Sequence, residues 1–361
     1  MKSQPTQISR SLSEPARPPV SCFSPLLALL GAGGDAKTPC PRCNSFECDV
    51  QLNGISVVNS RKNLFIFSYM ALPVSLYFVF VLVPYLGAMA ISLTRWTGTS
   101  TLDAIEFRGL QSFQRILSDE KFWSALSHNL LVLIVMPICT LALALLFAAL
   151  FTQGLKGAKF FRIVFFFPQV MSVAIVAIVW GFVFHPTMGI LNGVLNLVAQ
   201  AFGRAGSNFP WLGNVNTVLP SVISVAIWQA VGFYMVLFIA GMQGIPEELY
   251  EVSRIDGASA WVQFWSITIP LLWETIRTAV VFLTIAAMDM YTYVTILTNG
   301  SGGPSRAADV LATYMYQQAF GGGNNSNPFG YGTAIGVVLL LIILMLSALG
   351  LRVTRREVNE Y

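Results

Sequence analysis

Charge is what this sequence lacks most. Only 11% of its residues are Asp, Glu, Lys or Arg, whereas a soluble domain carries roughly 25%. With 55% hydrophobic residues, so few ions cannot clothe a water-facing surface. Histidine is nearly missing as well: His128 and His185 stand far apart with no H-E-x-x-H, so a membrane enzyme's clustered His, Asp or Glu has nothing to build on. Of the five cysteines, Cys139 lies in an apolar run, and Cys22, Cys40, Cys43 and Cys48 crowd into the first fifty residues. No disulfide framework can be drawn from them. The net charge of +4, from 21 Lys plus Arg against 17 Asp plus Glu, is too small and scattered for a nucleic-acid surface. These shortages exclude a soluble enzyme, a disordered protein and a secreted disulfide scaffold.

What is present is long uncharged sequence. Asn63 to Thr94, Phe122 to Leu155, Ile163 to Gly203, Ala205 to Pro246 and Val310 to Leu351 contain no ionised side chain. About 20 apolar residues in a helix cross a hydrocarbon core, so each run is long enough. The pattern predicts an all-α, polytopic membrane bundle of six helices, near 64–93, 130–151, 163–184, 218–240, 278–298 and 333–351. Positive loops stay on the cytoplasmic side. With both termini cytoplasmic, fifteen Lys and Arg fall inside and six outside. Pro73, Pro84, Pro137 and Pro168 lie within or at the ends of these runs, where neighbouring helices re-satisfy the freed backbone groups. Trp96, Trp180, Trp211, Trp261 and Trp265 fall near the proposed ends, at headgroup level. His128 and His185 read as helix-end or interface residues rather than proton carriers.

Residues 1–60 are rich in Ser, Pro and Gly and read as a disordered tail; membrane-protein character begins at Arg61. Cys40, Cys43 and Cys48 spell C-x-x-C-x4-C, yet a structural zinc site needs a fourth ligand and neither histidine is nearby, so no metal is expected. The string GAGGDAKT, Gly31 to Thr38, departs from a phosphate loop at Ala36 and follows no strand.

The segment 241–277 runs against the charge trend. It carries Glu247, Glu248, Glu251, Asp256 and Glu274 against Arg254 and Arg277, on the side assigned to the cytoplasm. Pro246 is placed to open a helix at its first turn, and the two glutamates after it complement the helix dipole. Leu249, Val252 and Ile255 recur on one flank. Glu247 and Glu251 lie one turn apart, where like charges repel by a few tenths of a kcal/mol, with only Arg254 positioned to offset them. Gly257 lets the chain turn. The next stretch, through Pro270, is aromatic enough to lie at the membrane interface. A short acidic helix of this kind suits a basic partner surface; the alternative is the solvated face of an ordinary loop.

The string EELYEVSRIDGASAWVQFWSITIPLL, Glu247 to Leu272, decides between them. It resembles the signature loop E-A-A-x3-G-x9-I-x-L-P of permease subunits in bacterial ABC importers. Glu251, Val252 and Ser253 occupy E-A-A, Gly257 matches the glycine, and Ile267 and Pro270 close the pattern with Ile269 in place of Leu. The resemblance extends over most of the chain from about residue 61 and is closest to the maltose and glycerol-phosphate branch. Lys156 to Asn192 is similar to that family's second and third spans, and the segment WQAVGFYMVLFIAGMQGIPEELYE to the helix before its loop. After the fifth span the family's L-T-x-G-G-P is matched by Leu297, Thr298, Asn299, Gly302, Gly303 and Pro304, with Gly300 and Ser301 inserted.

The resemblance implies a permease of the bacterial inner membrane, not an enzyme. It would work beside a second, homologous permease, with two ATPase subunits below and an extracytoplasmic sugar-binding protein above. ATP and Mg would sit in the ATPase subunits, and no cofactor in this chain. Residues 61–361 would be the transmembrane domain and 241–277 its coupling loop. Glu251 would anchor a coupling helix, Gly257 would set its angle, and Glu247, Glu248, Arg254 and Asp256 would complete the contact. Sugar would pass near mid-membrane. Asp289 is the one ionisable carboxylate or base inside the six spans, and Gln229, Gly232 and Tyr234 fall near family positions that touch sugar. Tyr293 joins them as an aromatic face with a hydroxyl. Each has a competing reading, in which Asp289 pairs with the partner permease and Gln229 bonds across helices. An ion-gradient-driven transporter or channel is the other class of function; it would want several intramembrane ions as relays.

Overall fold

A computed structural model of the chain describes residues 65–98, 105–152, 157–321 and 329–353. The N-terminal tail, its cysteine motif and the GAGGDAKT string lie outside the described residues. The chain divides after Ser75 into two units, and the packing below is that of Leu76–Tyr361.

Among the described residues four helices are long and apolar enough to cross a membrane: α1 (Phe65–Ser92), α3 (Glu120–Thr152), α7 (Val218–Gln243) and α13 (Phe329–Val353). Two further spans are bent pairs. α4 (Ala158–Val170) and α5 (Val173–Val183) meet at 102°, and α9 (Ala260–Leu271) and α10 (Trp273–Met288) at 70°. The count of six stands only when each bent pair is one span. Shorter helices fill the connections: α2 (Gln111–Leu117), α6 (Ile190–Ala201), α8 (Glu247–Ile255), α11 (Tyr291–Leu297) and α12 (Leu311–Phe320). A two-residue antiparallel pair, β1 (Thr94–Arg95) with β2 (Glu106–Phe107), follows α1.

The span expected as one helix over 163–184 is broken. Met171 and Ser172 are extended (ψ 145° and 137°), which interrupts the ladder and frees the Met171 carbonyl. The amide of Gln229 on α7 donates to that carbonyl at 3.1 Å, so the break is satisfied by a neighbouring helix inside an apolar medium. The span expected over 278–298 likewise stops at Met288, bends through Asp289 (φ −105°, ψ 64°) and resumes as α11. Both breaks are corrections that hydropathy, which counts apolar residues and not hydrogen bonds, does not register.

Two π-helical turns share one cause. Phe78–Leu82 ends two residues before Pro84, and Phe264–Thr268 ends two residues before Pro270. Each proline removes a backbone donor, and a wider turn just ahead of it relieves the clash and re-routes the ladder.

The central packing is α3 against α7, with α10 against α3 and α4 against α7; α13 packs on α10, α12 and α1. The α3 face that enters this core repeats at four-residue intervals as Thr140, Ala144 and Ala148, all fully buried. Small residues at that spacing let helix backbones approach where hydrophobic burial supplies no drive between lipid-dissolved helices. Gly232 on α7 does the same against α4: a Cβ there would stand 1.9 Å from the Phe165 carbonyl oxygen. α11 ends in a Schellman turn. Gly300 N–H bonds to Thr295 O at 2.7 Å, with Asn299 left-handed (φ 51°). The inserted Gly300 thus supplies the residue that closes the helix.

Candidate functional site

The acidic helix α8 is mounted on α9 by one face. Tyr250 OH meets Thr268 Oγ1 at 3.0 Å, the Gln263 amide donates to Ser253 Oγ at 2.9 Å, and Ser253 Oγ donates to the Tyr250 carbonyl. Pro246 stands just outside the helix, one place ahead of the first-turn position expected from sequence, and Glu247 and Glu248 form the first turn. The helix ends in a second Schellman turn, with Gly257 N–H on Arg254 O and Ala258 N–H on Ser253 O. Gly257 takes φ +80°, and nothing lies within 4 Å of the place a Cβ would fill. Glycine is needed there for its backbone, not for space.

The opposite face of α8 is left open. Glu248, Glu251 and Asp256 are exposed on it, Glu247 and Arg254 are exposed but line a cleft behind the helix, and no ion pair among the described residues includes any of the five. Arg254 does not offset the glutamates as the sequence suggested. Leu249, Val252 and Ile255 point outward at 43%, 57% and 85% exposure. A nine-residue helix with an apolar flank and an acidic flank, both unpartnered, is poor design for a solvated loop and good design for a protein contact.

Among the proposed pathway residues the geometry joins two. Tyr293 OH donates to Gln229 Oε1 at 2.7 Å while the Gln229 amide holds the α4–α5 break. Gln229 therefore bonds across helices. Tyr234 is buried beside Phe233, Gly232 serves the helix crossing, and Asp289 is exposed at the α10–α11 bend. Among the described residues no hydrogen bond joins these three to Gln229 or Tyr293.

At the other end of α3 lies a cluster that sequence reading missed. Asp119 caps α3, its Oδ1 accepting the Lys121 N–H at 3.0 Å. Its Oδ2 accepts the hydroxyls of Tyr314 on α12 (2.5 Å) and Tyr331 on α13 (2.6 Å). Partial burial pushes this carboxyl up, but the two tyrosines and two backbone N–H groups outweigh it and hold it below the usual range. Arg115 lies over the Tyr331 ring at 4.4 Å and Arg306 over Tyr314 at 5.5 Å. Arg306 also pairs with Asp309 at 3.0 Å. Asp309 accepts the Thr313 hydroxyl as well, yet its burial dominates and pushes it up. His128 Nδ1 donates to the Asp309 carbonyl at 2.8 Å, and the buried Asn129 accepts the Leu311 N–H at 2.7 Å. His128 is an interface residue and His185, accepting from the Thr187 and Met188 N–H groups after α5, a helix-end one. Nothing in the sequence pairs Asp119 with tyrosines some two hundred residues away.

No group of three or more metal-binding side chains occurs among the described residues. A bundle of crossing and broken apolar helices, carrying one exposed acidic helix, is the architecture of a polytopic membrane protein.

Comparison with known proteins makes that class specific. Residues 140–358 match the family described as binding-protein-dependent transport system inner membrane component. The chain is 36% identical over 301 residues to the diacetylchitobiose uptake system permease protein NgcF of Streptomyces coelicolor, covering 81% of this chain and 82% of that one. It is also 36% identical over 299 residues to the probable ABC transporter permease protein YurN of Bacillus subtilis (82% and 97% covered). With the multiple sugar-binding transport system permease protein MsmF of Streptococcus mutans the identity is 29% over 289 residues (80% and 94%). A crystal structure of a bacterial ABC transporter that imports the acidic polysaccharide alginate superposes with a TM-score of 0.69 at 21% identity, covering 84% of this chain and all of that one. That likeness carries the fold. The chain belongs to the binding-protein-dependent transport system inner membrane component family, as a permease of ABC importers.

Proposed function

We propose that this chain is one of two homologous permease subunits lining the import path for a carbohydrate in a bacterial inner membrane. Two separate ATPase subunits bind ATP and Mg on the cytoplasmic side, and an extracytoplasmic binding protein delivers the sugar. The observation that carries the reading is the unpartnered face of α8, acidic on one flank and apolar on the other, held to α9 by Tyr250 and Ser253. Glu251 and its neighbours meet basic residues of an ATPase groove. Leu249, Val252 and Ile255 fill its apolar floor, and Gly257 fixes the angle at which the lever leaves α9. Because α9 is bent from α10 by 70°, a push on α8 turns the α10–α11 span, where Asp289 and Tyr293 sit.

The relatives' names support a sugar as cargo. Tyr293 sits just past the α10–α11 break and Gln229, within α7, bonds to the α4–α5 break, so small rotations re-aim both, and Asp289 offers a carboxylate to hydroxyl groups nearby. Binding-protein dependence and the scarcity of intramembrane ions both weigh against a gradient-driven transporter. The test is ATP turnover by the purified, co-expressed complex in vesicles across a panel of sugar-loaded binding proteins. One loaded binding protein should raise turnover and drive uptake. Uptake that persists without ATP contradicts the proposal. Asp289→Ala or Tyr293→Ala should reduce sugar uptake while leaving turnover suppressed in the absence of sugar; unchanged uptake by both moves the pathway elsewhere.

A further inference from the structure

A cleft of about 560 Å³ opens behind α8, between the last turn of α3, the start of α4, the end of α7 and α9. Arg162 and Arg254 both line it, with Thr152, Gln243 and Gln263 as neutral hydrogen-bonding groups and Glu247 as its one carboxylate. Arg162 is half-buried. One of its terminal nitrogens donates to the Phe151 carbonyl at 2.8 Å, capping α3. Its Nε is fully buried with no hydrogen-bond partner among the described residues, and no ion pair includes it. A guanidinium left this way beside hydrocarbon is costly unless an anion completes it.

The surroundings say which anion. Phe160, Ile163 and Phe167, flanking Arg162 on α4, are each more than 60% exposed, a surface for acyl chains. Trp261 and Trp265 on α9 are exposed in the same region, as rings are at headgroup level. A fork of N–H donors matches phosphate oxygens, and basic pockets between helices on the cytoplasmic side take acidic headgroups. We propose that this cleft binds the phosphate of an acidic phospholipid of the inner leaflet, with Arg162 as its main ligand, Arg254 as its second and the acyl chains laid along α4. The lipid then joins the mount of α8 to the bundle, so the acidic-lipid content of the membrane tunes how well α8 transmits force. The leaflet rests on the cytoplasmic assignment of α8; the lipid contact itself does not.

The test counts lipids that stay bound to the intact, co-expressed complex by native mass spectrometry. The complex is taken from phosphatidylcholine nanodiscs doped with cardiolipin or phosphatidylglycerol, with and without inorganic phosphate. Arg162→Gln should lower retention of the acidic lipid about fivefold, the factor one arginine contributes near a charged leaflet. Ala149→Phe, which fills the cleft and leaves both arginines in place, should lower it as much; it decides the matter if Arg162→Gln fails to assemble. Inorganic phosphate should not displace the lipid. Equal retention by wild type and Ala149→Phe overturns the proposal, and so does displacement by inorganic phosphate, which would mark a free-anion site. The readout is lipid mass and not uptake, so its failure is distinct from failure of the transport reading.

Discussion

The two ends of α3 treat charge in opposite ways. Near Asp119 the polar groups are completed from within: one carboxylate accepts from two tyrosines and a backbone N–H, and Asp309 is paired with Arg306 and Thr313. Near Thr152 the acidic helix α8 is held by its inner face, and among the described residues its three glutamates have no ion pair and its three apolar side chains stay exposed. A saturated network is a structural clamp, since it ties α3, α12 and α13 and has no valence to spare. An unsaturated one leaves acidic and apolar surface open to solvent, which is why the proposed coupling contact is placed there.

That contrast can be broken from either side. The largest effect is expected from Glu251→Lys, which reverses charge on the open face. ATP-driven uptake should fall to background while membrane insertion and the melting temperature of the permease stay at wild-type values; normal uptake would remove α8 from the coupling path. Asp119→Ala should do the reverse. Two hydroxyls and a helix cap lose their acceptor, a destabilisation of about 3 kcal/mol, visible as a lowered melting temperature of the assembled complex in detergent. A melting curve unchanged within error would deny the cluster its clamp role.

Gly257→Ala is a smaller change that sharpens the lever. The left-handed backbone there costs a residue with a Cβ about 1–2 kcal/mol, and the open space around it removes any clash. Stimulated ATP turnover should drop several-fold, and Gly257→Asn should recover part of it because Asn tolerates that conformation. Equal turnover by the two variants would show that the turn is not strained in use.

The smallest effect separates the two carboxylates of the clamp by pH. Asp119 is held below the usual carboxylate range, so its contribution is present above about pH 3.9 and is lost as pH falls through its lower folded value. Asp309 is raised, so its contribution is present below that unfolded value and is lost as pH rises through the folded one. Asp119→Asn should therefore flatten the acid limb of stability, and Asp309→Asn should remove a gain on mild acidification. Thermal melts across pH 3 to 7 that shift alike in both variants would contradict the opposite signs.

Much of this was legible in sequence, and the reason differs by level. Hydropathy marked the apolar segments because a run without ions is a local property, although six spans result only when each bent pair counts as one, and the spacing from Glu251 to Pro270 marked α8 because that pattern is made by consecutive residues. The break at Met171 escaped notice: its carbonyl is satisfied by Gln229, on another helix, and an apolar string looks the same with or without a bend. Asp119 escaped for the same reason, since Tyr314 and Tyr331 reach it only after folding. Gly232 carried a visible signal, a small residue in an apolar helix, but close packing against Phe165 and a place beside substrate call for the same residue. Asp289 was legible as a carboxylate in an otherwise uncharged run, while its exposure at the α10–α11 bend follows only from the break after Met288.

The most direct measurement is of accessibility at position 251. In a chain whose own five cysteines are replaced, a single cysteine from Glu251→Cys is treated with a membrane-impermeant thiol reagent on sealed vesicles of either orientation. The account predicts labelling only from the cytoplasmic face, and protection once the ATPase subunits are assembled. Labelling from the outer face, or no protection by the assembled ATPase, would contradict it.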